Sequence, residues 1–306
     1  MTNHPAVRGC TLAEAIATAA GRLAAVGIDG AARDARIIAA AAVGISAETL
    51  LARPEMPLGS DAQARLDVLV RRRAAGEPVS RILGRRAFYG RDFLIAPAVL
   101  DPRPDTETLV DLALSLMRQA GQDRPLRLLD VGTGSGCLAL TLLAEHSRAT
   151  AVATDISAPA LAIAGRNADL LGVGHRLTLV ETDLVAAITG RFDLIVSNPP
   201  YVASGDIADL AREVRCHDPL SALDGGPDGL AFYRRIAADV TPLLAAGGWL
   251  AVEVGAGQAE AVETLLTAAI YGSTPPGAPL DVLRAGRDLA GIHRCVAVRA
   301  RSVNGA

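Results

Sequence analysis

Beyond Pro125 the chain alternates short apolar runs with stretches of helical period, and this alternation limits the available folds more than any other feature. Arg127-Leu128-Leu129-Asp130-Val131 reads as a buried strand, Cys137 to Leu143 as a helix and Thr150 to Thr154 as a second strand. Pro159 to Leu171 reads as a helix, Leu177 to Val180 as a third strand and Phe192 to Ser197 as a fourth. A helix over Leu230 to Leu244 and a strand over Trp249 to Val254 follow. The pattern predicts an α/β fold built on a doubly wound, mostly parallel sheet, with ligands bound where the strands end.

The first third of the chain has a different period. Leu12, Ile16, Ala19, Ala20 and Leu23 recur at helical spacing, and Thr11 with Glu14 forms a capping-box pattern. Further helices are predicted over Ala31 to Val43, before Gly44, and over Ser60 to Ala75, before Gly76. The last of these ends in Arg71-Arg72-Arg73, which complements the negative end of a helix dipole. From Pro78 the pattern shortens. Arg81-Ile82-Leu83-Gly84, Ala87-Phe88-Tyr89-Gly90 and Phe93-Leu94-Ile95 read as short strands forming a hairpin. The two prolines of Asp101-Pro102-Arg103-Pro104-Asp105 predict irregular backbone, then a helix from Leu109 to Met117 capped by Asp105 or Thr106. The expected organisation is a small helical domain over 1–77, a hairpin linker over 78–104 and the α/β domain over 105–306.

Charge and cysteine usage exclude several functions. Every basic residue is arginine, with 12 against 8 acidic residues over 1–90 and 18 against 25 over 91–306. An acidic α/β segment lacks the clustered cations that a duplex nucleic acid requires, so no stable nucleic-acid binding is expected. Cys10, Cys137, Cys216 and Cys295 are too scattered for zinc pairs or a disulfide framework, and no metal site is expected. No signal-peptide pattern or long uncharged apolar run is visible, which points to a cytoplasmic protein without membrane contact.

Three short motifs carry chemistry. Asp130-Val131-Gly132-Thr133-Gly134-Ser135-Gly136 closes the first α/β strand and opens a helix, where free backbone amides face a ligand. Asp155, at the end of the next strand, suits two ribose hydroxyls. These two features fit a nucleoside cofactor and leave a nicotinamide dinucleotide as the lesser alternative. Asp183 follows the third strand, where an adenine would lie over the sheet edge; a strand-ending cap is an equally good reading of it. Asn198-Pro199-Pro200-Tyr201 after the fourth strand favours a methyl donor over a dinucleotide. Its prolines fix the backbone, so the Asn198 carboxamide oxygen and the Pro199 carbonyl can each accept one N–H of a planar –NH2 group, with Tyr201 stacked on or flanking it. That geometry suits a glutamine amide, an adenine or a guanine as acceptor, and S-adenosyl-L-methionine as donor.

These motifs resemble those of class I S-adenosylmethionine-dependent methyltransferases. Phe88-Tyr89-Gly90, the stretch Asp101 to Glu107 and the N-terminal helices are more selective, and with them the chain resembles the HemK/PrmC family of peptide chain release factor glutamine N5-methyltransferases. The similarity extends to Asp224 to Leu230 and Asp288 to Gly291. The resemblance implies a Rossmann-like methyltransferase sheet and methylation of the glutamine in the GGQ loop of class I release factors. It further implies a helical domain that helps dock the factor. On this analogy Gly132, Thr133, Gly134, Ser135, Gly136, Asp155 and Asn198 hold the cofactor, with Asp183 and Leu184 beside its adenine. Asn198, Pro199, Pro200 and Tyr201 hold the glutamine, and Asn198, Pro199 and Tyr201 serve catalysis. Leu184 stands where the family often has an aromatic residue, so an adenine contact there is apolar without stacking.

Overall fold

The computed structural model describes residues 10–121, 124–272, 282–287 and 291–300. The chain divides into two units, Met1–Gly84 with Arg212–His217, and Arg85–Ala211 with Asp218–Ala306. In the first, α1 (Leu12–Ala25) carries the predicted capping box. The Thr11 hydroxyl accepts the Glu14 amide at 3.3 Å, and the Glu14 carboxylate accepts the Thr11 amide at 2.8 Å. Next come α2 (Ala31–Val43), α3 (Ala47–Ala52), α4 (Ser60–Ala74) and α5 (Val79–Leu83). Leu12, Leu23, Ile38, Leu66 and Val70 meet in their shared core. Helix α3 escaped prediction because it is a single capped turn, with Ser46 accepting the Thr49 amide. The strand predicted over Arg81 to Gly84 is instead α5. Pro78 starts this turn and Gly84 ends it, and the pair outweighs the apolar Ile82-Leu83.

The second unit opens with a hairpin, β1 (Arg85–Phe88) against β2 (Arg91–Leu94). Tyr89 and Gly90 form its two-residue turn with φ of 48° and 71°, the backbone that matches strand twist. The Tyr89 amide donates to Glu107 at 2.8 Å and its hydroxyl to Asp111 at 2.7 Å. Pro104–Thr106 forms a 3-10 turn where irregular backbone was expected, because a proline in the first turn sacrifices no hydrogen bond. Helix α6 (Glu107–Ala120) continues straight from it. Thr106 already has helical dihedrals and its side chain makes no capping bond, so neither Asp105 nor Thr106 acts as the predicted cap.

The remaining elements are β3 (Arg127–Val131), α7 (Cys137–Glu145), β4 (Thr150–Asp155), α8 (Ala158–Leu170), β5 (Leu177–Glu181) and β6 (Phe192–Ser197). They continue through α9 (Arg212–His217), α10 (Ala231–Val240), β7 (Leu244–Glu253), α11 (Ala259–Tyr271), β8 (Val282–Arg287) and β9 (His293–Arg299). The seven-stranded sheet has the order β5-β4-β3-β6-β7-β9-β8. Strands β3 to β7 run parallel, while β9 is antiparallel to both β7 and β8. This is the doubly wound, mostly parallel architecture that the alternation predicts. Successive strand residues face opposite ways. Leu128, Leu194 and Trp249 therefore pack with Leu109, Leu116 and Leu140 on one face, and Leu129, Ile195 and Leu250 with Tyr233, Ile236 and Val262 on the other. Each such side chain contributes about 1.5–3 kcal/mol when fully buried. Helix α10 stops at Val240 and a 3-10 turn containing Pro242 follows, so β7 begins five residues before the predicted Trp249. Residues 273–281, which include a Gly/Pro-rich stretch expected to be a loop, and Asp288 to Ala290 lie outside the described residues.

The last arginine of the run at the end of α4 is drawn inward. Arg73 is buried and donates to Asp34 of α2 at 2.8 Å and to Glu213 of α9 at 2.6 Å, while Arg72 pairs with Glu77. Among the described residues no helix is long and apolar enough to cross a membrane.

Candidate active site

Four adjacent parallel strands, β5, β4, β3 and β6, end along one edge of the sheet, and the segments that follow them line a cleft of about 600 Å3. Small-molecule sites run to roughly 300–1,000 Å3. Gly132, Thr133, Gly134, Ser135, Asp155, Asp183, Leu184, Asn198, Pro199 and Pro200 all border it. Gly136 and Tyr201, two of the residues singled out from sequence, do not.

The glycine loop is fixed by main-chain bonds. The amides of Gly132 and Thr133 donate to the Thr154 carbonyl at 2.9 and 2.8 Å, tying the loop to β4. Gly136 works from behind: it precedes α7 with a φ of 82°, and a Cβ there would press on Leu140 of α7 and Ala164 of α8. Asp130 lies underneath. Its Oδ2 accepts the Thr133 hydroxyl at 2.6 Å and the Ala139 amide at 3.2 Å, whereas its buried Oδ1 has no hydrogen-bond partner among the described residues. Burial pushes its pKa up to about 6. Asn167, fully buried, donates to the carbonyls of Ser135 and Leu94 and so holds the loop against the hairpin.

Asp155 stands at the rim. Its Oδ2 accepts the Gly134 amide and its Oδ1 the Ser157 amide, both at 2.9 Å. An ionised carboxylate offers about four acceptor directions, so each oxygen keeps capacity for a further hydroxyl. Ile156, Leu184, Leu220 and Phe232 supply apolar wall beside it. Asp183 borders the same region, paired with Arg235 at 2.8 Å. A nucleoside fits this set: diol acceptors at Asp155 and an apolar slot for a flat base. Cys137 also borders the cleft, but burial pushes its thiol up to about 12, so it stays neutral and unreactive.

The bend after β6 is held by side chains. The Ser197 hydroxyl donates to the Val131 carbonyl at 2.7 Å, joining β6 to β3. The Asn198 Nδ2 donates to the Thr106 hydroxyl at 3.2 Å, so the carboxamide oxygen is the end left for a ligand. Tyr201 does not flank the cleft, contrary to the expectation from sequence. It packs instead against the core containing Tyr233 and Val254, with its hydroxyl 3.5 Å from Glu253 Oε1. Burial, then the Glu253 charge, pushes its pKa well up. Gln258 clamps the same segment: its Nε2 donates to the Tyr201 carbonyl at 2.9 Å, and its Oε1 accepts the Gly255 amide at 3.0 Å. Gly229, with φ of 71°, passes so close that a Cβ would collide with the Tyr201 carbonyl oxygen.

Thr106, Glu253, Gln258 and Arg103 carry no individual site role on sequence grounds, although Thr106 and Arg103 fall in the family-like stretch Asp101 to Glu107. Arg103 borders the cleft and pairs with buried Asp218. Glu253 left one sign, a charge closing the apolar run Trp249-Leu250-Ala251-Val252.

Residues 14–84 match the PrmC N-terminal domain family, and residues 107–218 match the methyltransferase small domain family. A release factor glutamine methyltransferase of Bradyrhizobium diazoefficiens is 45% identical over 292 residues, 95% of this chain and 95% of that protein. A protein of the same name from Cereibacter sphaeroides is 47% identical over 257 residues, covering 84% of this chain and 90% of its own. Among solved structures, the hMettl16 catalytic domain in complex with MAT2A 3'UTR hairpin 6 superposes with a TM-score of 0.54 at 15% identity. The superposition covers 80% of this chain and 83% of that one, a likeness of fold alone.

Proposed function

The chain belongs to the release factor glutamine methyltransferase family, and from that premise we propose that it methylates the N5 amide nitrogen of the glutamine in the GGQ loop of class I peptide chain release factors. It is an S-adenosyl-L-methionine-dependent protein-glutamine methyltransferase. One observation carries the site reading. Asn198 borders the cleft with its amide nitrogen already tied to Thr106, leaving an oxygen to receive N–H.

In this reading Gly132 to Ser135 and Asp155 hold the cofactor, with Asp155 accepting the ribose hydroxyls and Asp183 and Leu184 beside the adenine. When bound, S-adenosyl-L-methionine supplies an electrophilic methyl group, so the protein has no strong base to build. What the chain adds is orientation and charge stabilisation. The Asn198 oxygen and the Pro199 carbonyl accept the two hydrogens of the glutamine –NH2. An amide nitrogen is a poor nucleophile because its lone pair is shared with the carbonyl. Two acceptors on its hydrogens would favour positive charge on that nitrogen as the N–C bond forms and the donor's S–C bond breaks, where preorganised dipoles count most. The methylated nitrogen would then release one of those protons to solvent, leaving a neutral secondary amide. Holding the nitrogen on its approach line can contribute up to about 7–11 kcal/mol. Pro200 keeps the bend rigid, and Tyr201 braces it from behind.

The helical segment 1–77 docks the factor in this proposal, with 78–104 as linker and 105–306 as the methyltransferase domain. The reaction belongs in the cytoplasm, with no stable nucleic-acid or membrane contact. Transfer of a labelled methyl group to purified release factor tests the reading. Label should enter the wild-type factor and vanish when its loop glutamine becomes alanine. Label that persists in that variant, or that enters a ribosomal protein or RNA instead, overturns it.

A further inference from the structure

Part of the cleft's apolar wall stands open to solvent. Ile156 is 66% exposed and Leu220 59%, and both border the cleft. Apolar surface left in water costs free energy in proportion to its area. Such groups gathered in a concave site mark a place for a ligand with an apolar surface of its own. Phe232 is the single aromatic residue among the described residues that line the cleft. It offers what the aliphatic groups cannot, a flat face.

The period of α10 puts the ring there. Tyr233, Ile236, Ala237 and Val240 are buried and turn one stripe of the helix into the core of the sheet. Phe232 and Arg235 are three residues apart and share the neighbouring face. Arg235 shows where that face lies. Its guanidinium pairs with Asp183 at 2.8 Å, and its Cζ sits 6.0 Å from the centre of the Phe232 ring. One cation thus spans the ring and the carboxylate that follows β5. Leu184 does not compete for the same role. Its φ is 48°, and its side chain packs against the core that contains Val185 and Ile236.

The spacing suits a nucleoside. Asp155 is level with Glu181 across the β4–β5 pair. Asp183 therefore lies one strand over, about 4.8 Å, and two residues further along. That is the step from a ribose to the far edge of its base. We propose that Phe232 is the stacking platform for the adenine of the cofactor, its ring against one face of the base while Asp183 meets the amino edge. The proposal rests on the placement of the adenine beside Asp183 given above.

The two residues divide the work. A phenyl ring attracts a purine through dispersion and offset stacking, a gain indifferent to what hangs on the edge of the base. A carboxylate can only accept, so Asp183 favours an amino group at that edge over a carbonyl. Phe232 supplies affinity and Asp183 supplies selectivity. A ring that merely filled space in the fold would behave otherwise: its removal would lower stability without regard to which ligand is offered.

The test uses the full-length enzyme and calorimetry with three probes. They are S-adenosylhomocysteine, S-inosylhomocysteine, which has a carbonyl in place of the amino group, and S-ribosylhomocysteine, which has no base. Phe232→Ala should weaken the first two by the same factor, about 10- to 100-fold, and leave the third within about twofold. Phe232→Trp should bind the first two as well as wild type does. The melting temperature of the ligand-free protein checks folding. Should the alanine variant not fold, Phe232→Leu keeps the apolar volume, and its loss should again fall only on the probes that carry a base. Unchanged S-adenosylhomocysteine affinity in a folded variant, an equal loss for the probe without a base, or a shifted ratio between the first two would each overturn the proposal. The placement beside Asp183 fails separately, with Asp183→Ala keeping the wild-type preference for S-adenosylhomocysteine over S-inosylhomocysteine.

Discussion

The loops that follow β3 and β6 sit on neighbouring strands, and each covers a buried carboxyl with one unpartnered oxygen, Asp130 under the first and Glu253 near the second. They are built differently. The glycine loop draws on nearer partners: Asp130 bonds Thr133 and Ala139, three and nine residues on, while Asp155 and Asn167 bond Gly134 and Ser135, 21 and 32 residues away. The Asn-Pro-Pro bend depends on side chains from far away, with Thr106 lying 92 residues from Asn198 and Gln258 57 residues from Tyr201. A loop for a constant cofactor is held by the elements next to it in sequence. A loop that must present one particular polarity to a substrate draws its support from further along the chain, here from Thr106 and Gln258.

The hardest blow to this contrast would fall at Asn198. Asn198→Ala should lower kcat/KM by about 10²–10³, the usual cost of one preorganised polar contact, while S-adenosylhomocysteine affinity by calorimetry stays within a few-fold. A large loss of cofactor affinity would mean that the two loops are one site, not two.

Asp130 should show its character in stability. A carboxyl whose folded pKa is raised to about 6, from an ordinary 3.8, favours the folded state while protonated. That contribution is complete below about pH 4 and lost as pH climbs through about 6, by about 3 kcal/mol at about 1.36 kcal/mol per pKa unit. Urea unfolding across pH 4–7 should show the decline in wild type, and Asp130→Asn should flatten it. A wild-type stability that rises over this window would contradict the assignment.

Asp155→Ala comes next, weakening cofactor binding about 10- to 100-fold through lost bonds to a charged acceptor, with kcat at saturation little changed. Unchanged affinity would move the ribose site elsewhere. The smallest expected effect is Gln258→Leu, about a tenfold fall in kcat/KM, because one buried clamp on the Tyr201 carbonyl is worth roughly 1 kcal/mol or a little more. Should that variant impair cofactor binding more than turnover, the separation between the loops would have to be redrawn.

The same contrast explains what can be read from residues alone. The capping box at Thr11, the glycine loop, Asp155 and the order of strands and helices are visible because each depends on neighbours within one or two elements. Arg81 to Gly84 reads as a strand when its apolar pair is weighed above the Pro78 and Gly84 that bracket a helical turn. Thr106 looks like a helix cap and instead serves Asn198. Tyr201 is expected at the substrate, yet its hydroxyl finds Glu253. In both cases the deciding partner comes from a distant element that no local pattern encodes.

The short helix α9 carries a practical consequence. It is encoded between Ala211 and Asp218 but belongs with the N-terminal helices, where Glu213 pairs with buried Arg73. A fragment begun at residue 85 would therefore carry six residues of the other unit with it, stripped of their ionic partner, and one ended at residue 84 would leave the Arg73–Asp34 pair missing its third member. Neither half of this enzyme is a continuous stretch of gene, so dissecting it by truncation would damage both pieces at once.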